Sequence, residues 1–201
     1  MYGYVFKNEK NVHGLKKSKK RVTVVAACSM TGEKRPLLII GHHQKPRCFR
    51  RIKNLPLSYY ANKEAWMTSH IFSNYLTDWN RELSKCKRKI LLFLDNCPAH
   101  PSLNFSNIRL YFFPPKTTSV LQPLDQGIIN SFKCKYKNHL TDYQVTKDTT
   151  HVSDDLDTKA IEHPPDLLEA MYMMNQAWQQ VSEETIKNCF KKSFFIQYSD
   201  S

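Results

Sequence analysis

Ile90-Leu91-Leu92-Phe93-Leu94-Asp95-Asn96 is the stretch whose reading decides the fold. Five large apolar residues, preceded by charge and followed by two polar residues, read as a buried β-strand. Asp95 then falls where that strand emerges. In an open α/β sheet, ligands bind beyond the carboxyl ends of the strands, so an acid at this point is a candidate functional group. A second acid, Asp125, closes Thr118-Ser119-Val120-Leu121-Gln122-Pro123-Leu124-Asp125 and opens a patterned helix. Two carboxylates brought together by a strand–loop–strand–helix excursion would suit a divalent cation that prefers oxygen ligands. Spacing alone leaves plainer readings in place: a polar strand end for Asp95 and helix capping for Asp125.

Working outward, residues 21–30 are rich in Val and Thr and end at the turn Thr31-Gly32. A second short strand over 36–40 makes these a hairpin. The segment from Pro46 reads as loop as far as Met67. Thr68 is an N-cap, and Ile71, Phe72, Tyr75, Leu76, Trp79 and Leu83 follow at helical spacing. Asp78 lies inside that helix. After the central strand, another strand over 108–113 is stopped by Pro114-Pro115. From Asp125, an apolar stripe of Ile128, Ile129, Phe132, Tyr136 and Leu140 predicts a helix with Lys133, Lys135 and Lys137 facing outward. Residues 141–163 are polar, carry Asp154, Asp155 and Asp157, and read as a linker. Asp166 caps a further helix, and Ser182-Glu183-Glu184-Thr185 starts a short one running through Phe190. This order predicts an α/β layer with a mixed sheet flanked by helices. The expected division is a domain over 1–142, a polar linker over 143–165, and a helical segment over 166–201.

The 201 residues suffice for one domain with a real core. Thirty Lys and Arg against eighteen Asp and Glu give a formal charge of +12, which points to an anionic partner rather than to any particular fold. Six Cys (28, 48, 86, 97, 134 and 189) show no CxxC pair. With no signal peptide ahead of them they read as reduced intracellular thiols. No apolar run reaches the roughly 18–20 residues of a membrane span. Cys97 and His100 make half of a zinc set, with His42, His43 and Cys48 as remote partners, but no second CxxC or HxxxH completes four ligands. Lys16-Lys17-Ser18-Lys19-Lys20-Arg21 is the densest basic run, suited to phosphate contact or nuclear import, and clusters over 85–89 and at Lys133 and Lys137 follow it. A solvated helix face accounts for the latter lysines equally simply. Tyr59-Tyr60 is a weak stacking candidate, whereas Trp79 belongs to the core stripe.

Several long motifs carry a family resemblance. Lys89-Ile90-Leu91-Leu92-Phe93-Leu94-Asp95-Asn96-Cys97-Pro98-Ala99-His100 and Phe113-Pro114-Pro115-Lys116-Thr117-Thr118-Ser119-Val120-Leu121-Gln122-Pro123-Leu124-Asp125-Gln126-Gly127-Ile128 resemble the DDE domain of Tigger/pogo-type transposases. Jerky-like proteins and centromere protein B are domesticated relatives of that group. Lys19-Lys20-Arg21-Val22-Thr23-Val24, Asn62-Lys63-Glu64-Ala65-Trp66-Met67-Thr68 and Thr185-Ile186-Lys187-Asn188-Cys189-Phe190 extend the likeness in order along most of the chain. The resemblance implies a ribonuclease-H-like α/β fold and three acidic metal ligands serving Mg²⁺ or Mn²⁺. Asp95 and Asp125 match two of them. The first ligand precedes a Gly-aromatic segment similar to Gly3-Tyr4-Val5-Phe6, so the first strand is expected to be largely missing and that ligand absent.

The resemblance further implies catalytic roles for Asp95, Asp125 and His100, with Asn96 and Gln122 in support. A tight turn satisfied by Asn96 and His100, with Pro98 and Pro101 shaping it, is an equally weighted reading. The expected function is DNA binding through Lys16, Lys17, Lys19, Lys20, Arg21, Lys133 and Lys137, in the nucleus, without cleavage, and without a membrane or small-molecule cofactor. Two rivals stand beside it. One is a fragment of an active Mg²⁺-dependent DNA endonuclease, and the other is a protein-interaction module using the helices beyond Pro165.

Overall fold

The computed structural model describes residues 2–5, 21–114, 117, 121–149 and 164–193. Within them lie six strands and four α-helices in a mixed α/β arrangement consistent with a ribonuclease-H-like domain. The chain divides into two compact units.

The first unit comprises Met1–Ala27, Leu37–Gln44 and Tyr59–Gln122. Here β1 (Tyr2–Val5), β2 (Thr23–Ala26), β3 (Leu38–Gly41) and β4 (Ser58–Ala61) form a four-stranded sheet in that order. The expected hairpin pairs antiparallel, with Thr23 opposite Ile40 and Val25 opposite Leu38. Its strands are buried residue for residue, as Val- and Ile-rich strands covered on both faces should be. β1 pairs with β2, so the Gly-aromatic segment supplies a strand through Val5, while Phe6 lies outside the described residues. β4 falls in sequence read as loop, and the 3-10 turn Arg47–Phe49 does too. β4 is only partly buried, which is why no apolar alternation announces it.

β5 (Ile90–Leu94) and β6 (Ile108–Phe112) pair in parallel as a separate two-stranded sheet. The strand expected to be fully buried is half so: Leu94 is buried but Leu91 is 50% exposed. Alternation explains it. Ile90, Leu92 and Leu94, with Ile108, Leu110 and Phe112, turn toward the core, whereas Leu91 and Tyr111 point the other way and stay open.

Helix α1 (Ser69–Lys85) fills the space those faces leave. Thr68 caps it, its side chain accepting from the Ile71 amide at 3.3 Å. Ile71, Phe72, Tyr75, Leu76 and Leu83 form one stripe, and with Val25, Leu38, Ile40, Leu94 and Ile108 they make a continuous apolar core. Trp79 packs against this core as expected, and Asp78 pairs instead with Arg81 at 2.8 Å on the outer surface.

The second unit comprises Cys28–Pro36, Lys45–Ser58 and Pro123–Ser201. A π-helical turn, Leu124–Ile128, leads into α2 (Ile129–Thr149). α2 therefore runs beyond Leu140 into sequence read as linker, and the remainder of that linker, 150–163, lies outside the described residues. Asp166 and Glu169 make a reciprocal capping box for α3 (Leu167–Gln180), and Ser182 caps α4 (Glu183–Lys192). Trp178 is the anchor of this unit: it is 1% exposed, meets Phe132 edge-on at 5.9 Å, and donates from Nε1 to the Arg35 carbonyl at 2.8 Å. Lys34 closes the α3 C-terminus by donating from Nζ to the carbonyls of Trp178, Gln179 and Val181 at 2.6–3.0 Å.

All six cysteines are unpaired thiols. Among the described residues no helix is long and apolar enough to cross a membrane.

Phe72→Ala should destabilise the protein by about 3–5 kcal/mol, since it empties the centre of a fully enclosed core. Tyr172→Ala, at a side chain 49% exposed on α3, should stay within about 0.5 kcal/mol. Urea denaturation of the two variants checks both.

Candidate functional site

Asp95 leaves the carboxyl end of β5 and enters a tight turn closed by the His100 amide donating to the Cys97 carbonyl at 2.9 Å. The turn is fixed to the start of α1, where Ser69 Oγ donates to the Pro98 carbonyl at 3.2 Å. His100 is buried, and its ring lies over Phe72 with centroids 4.6 Å apart. Core packing thereby sets the direction of the imidazole.

That direction is toward Asp95. Nδ1 of His100 sits 2.8 Å from Asp95 Oδ1, 3.4 Å from the Asp95 carbonyl and 3.3 Å from Cys97 Sγ. The contact with Oδ1 is close, but its angle is not that of a hydrogen bond, so this buried oxygen has no aligned donor. Burial pushes the Asp95 carboxyl up, while contact with His100 and its charge push it down. The balance leaves it below the ordinary carboxylate value. The Cys97 thiol is pushed up, by burial first and then by the Asp95 charge, and is no activated nucleophile.

Asp95, Cys97 and His100 each offer one ligand atom, and the three atoms lie within 4.8 Å of one another. A buried carboxylate oxygen without a donor, beside an imidazole and a thiol, fits a divalent cation. Sequence reasoning placed Cys97 and His100 together but looked for their partners among remote His and Cys residues. Among the described residues, His42 and His43 belong to no such group, and His42 Nδ1 lies 2.9 Å from the Lys63 carbonyl.

Asp125 belongs to the second unit and is exposed in the first turn of the π-helical segment. The N-cap position is Pro123, which has no side-chain acceptor, and Asp125 is the acid of the first turn. Its carboxylate lies near the positive end of the helix, where an acid is favoured. Gly127 makes the turn feasible: its φ of 147° strains any residue with a side chain, and a Cβ there would stand 3.2 Å from Cys189 Sγ.

The remaining expected residues are placed as follows. Asn96 is exposed, and Gln122 is buried with Oε1 lacking a partner. Lys16, Lys17, Lys19 and Lys20 lie outside the described residues, and Arg21 is exposed. On α2, Lys137 is exposed and Lys133 partly so. The Tyr59 hydroxyl donates to the His43 carbonyl at 2.7 Å, and Trp66 is 59% exposed.

One basic feature was missed. Lys45, Arg47, Arg50, Arg51 and Lys53 are all exposed, with no acid among residues 45–53. None of the five pairs with a carboxylate among the described residues. The 3-10 turn at their centre packs on α3, which holds the array in place. The sequence signal was present as five cations in nine residues, but Cys48, Phe49 and Ile52 interrupt the run and disguise it.

A family model described as DDE superfamily endonuclease matches residues 19–190. The chain is 36% identical to mouse Tigger transposable element-derived protein 4 over 96% of its own length and 36% of that protein. It is 32% identical to CENP-B homolog protein 2 of Schizosaccharomyces pombe over 92% of its length and 37% of that protein. Human Jerky protein homolog is 34% identical over 63% of this chain and 25% of that protein. The chain thus spans roughly a third of the length of these relatives. No solved structure matches.

Gly127→Ala should cost more than about 1 kcal/mol, because alanine does not adopt this backbone conformation without strain. A thermal melt checks it, and an unchanged midpoint would contradict the turn geometry described for Asp125.

Proposed function

This chain belongs to the DDE superfamily endonuclease family, and we propose that it is a transposase-derived domain that binds DNA without cleaving it. The observation that carries the binding reading is the exposed, acid-free array of Lys45, Arg47, Arg50, Arg51 and Lys53. Five cations on one anchored segment, none paired with a carboxylate among the described residues, suit a phosphate backbone, whose neutralisation releases counterions and drives association. The formal charge of +12 adds long-range attraction. Lys137 and Arg21 are exposed and extend the basic inventory, and Lys16, Lys17, Lys19, Lys20 and Lys133 complete it in sequence. Contacts of this type fix a protein on a duplex but do not read bases, so the binding is tolerant of sequence. A DNA partner places the protein's work in the nucleus.

DDE superfamily enzymes use divalent metals, and Asp95 and Asp125 are each proposed, by resemblance, as one of the family's carboxylate ligands for Mg²⁺ or Mn²⁺. When bound, such an ion would offset negative charge developing on a phosphate. Each carboxylate has its own support within its own unit. His100, fixed by Phe72, holds the Asp95 side chain in place, and Gly127 allows the turn that presents Asp125. Paired-metal chemistry needs ligands for two ions about 4 Å apart. Phosphate binding by exposed Lys and Arg makes no such demand, so binding and cleavage are separable activities.

Replacing Arg47, Arg50 and Arg51 together by Gln tests the binding reading. Fluorescence anisotropy on a labelled duplex, repeated across salt concentrations, should show weaker binding. The slope of log K against log salt should become shallower by about 2–3, near one unit for each phosphate that is no longer neutralised. An unchanged slope would remove this segment from the interface.

A further inference from the structure

Asp95 is surrounded by donors that Mg²⁺ does not favour. Among the described residues, the side chains that group with it as metal ligands are a thiol and an imidazole, whereas Mg²⁺ takes oxygen ligands in octahedral geometry. Thiolate and imidazole ligands belong to zinc and its neighbours in the transition series. Tetrahedral zinc, with bonds of about 2.0 Å to nitrogen or oxygen and about 2.3 Å to sulfur, sets neighbouring donors about 3.3–3.6 Å apart. Cys97 Sγ, 3.3 Å from His100 Nδ1, meets that spacing as it stands. Asp95 Oδ1, 2.8 Å from the same nitrogen, has to draw back by about 0.5 Å to admit the ion.

The site is also built in advance. Asp95 Oδ1 is buried with the His100 imidazole as its near neighbour at 2.8 Å, so a cation entering here would replace that contact while keeping both groups as ligands. The turn carrying all three residues is tied to α1 through Ser69, and Phe72 holds the imidazole plane. Ligands fixed by packing lose little freedom when an ion binds.

We propose that Asp95, Cys97 and His100 form a site for a thiophilic divalent ion of the zinc class, with a fourth position left to water. All three ligands come from one six-residue turn in the first unit, so Asp125 takes no part. The site shares Asp95 with the Mg²⁺ or Mn²⁺ reading but does not rest on that reading or on DNA binding. Three protein ligands with an open position is the pattern of reactive rather than purely structural zinc sites.

Cobalt titration of the untagged chain tests the proposal. Co²⁺ should bind one to one and give a near-ultraviolet thiolate-to-cobalt charge-transfer band with the visible absorption of tetrahedral Co²⁺. Zn²⁺ should displace it, and a large excess of Mg²⁺ should not. Cys97→Ser, a nearly isosteric change, should abolish the charge-transfer band while circular dichroism stays that of the wild type. Asp125→Ala should leave the band intact. Absence of the band in the wild type, its survival in Cys97→Ser, or its loss in Asp125→Ala would each overturn the proposal. Because the readout is spectroscopic and uses no DNA, failure here is distinct from failure of the DNA-binding reading.

Discussion

The apolar stripe of α1 is the constraint on which the first unit depends. Two separate sheets each turn one face toward it, and Phe72, wholly enclosed, lies where those faces meet. A side chain of that size contributes several kcal/mol by burial alone. The same ring forms the floor under His100. One helix therefore both closes the core and aims the imidazole at Asp95. The geometry of the Asp95–His100 turn is a consequence of packing, not of the turn sequence alone. A residue that fills core volume thus also positions a side chain at the end of β5.

The second unit solves a different problem. Beside the buried face of α3, it relies on specific closures. Lys34 and Trp178 reach to backbone carbonyls, and Asp166 with Glu169 satisfies both partners of a capping box. These interactions fix α3, and α3 in turn supports the turn that carries the basic segment. A fixed array of arginines suits phosphate better than a loose one, because the guanidinium fork is already oriented and less freedom is given up on binding. Stability and the proposed binding meet here in the same helix.

How much of this was legible in the sequence follows from what each signal depends on. α1, with its Thr68 cap and its stripe from Ile71 to Leu83, was readable because periodicity and capping are local. The hairpin was readable because its two strands are continuously apolar and a Gly turn separates them. β4 was not, because Ser58-Tyr59-Tyr60-Ala61 is an edge strand with no buried face to leave a pattern. The far end of α2 escaped for the same reason: Val145 is 57% exposed there, so helical spacing leaves no apolar trace. At the site, Asp95 and Asp125 stood out by position and by resemblance. The link from Asp95 to Cys97 did not, since nothing in the sequence shows that a turn brings a thiol and a carboxylate to one imidazole.

The central claim is that DNA binding persists in this chain without strand cleavage. It is tested most directly by incubating the protein with supercoiled plasmid in Mg²⁺ and in Mn²⁺, then examining mobility before and after the protein is removed. The account predicts retarded plasmid that returns to its supercoiled position once protein is stripped away. Nicked or linear product that disappears on Asp95→Ala would contradict it and assign the chain its own nuclease activity.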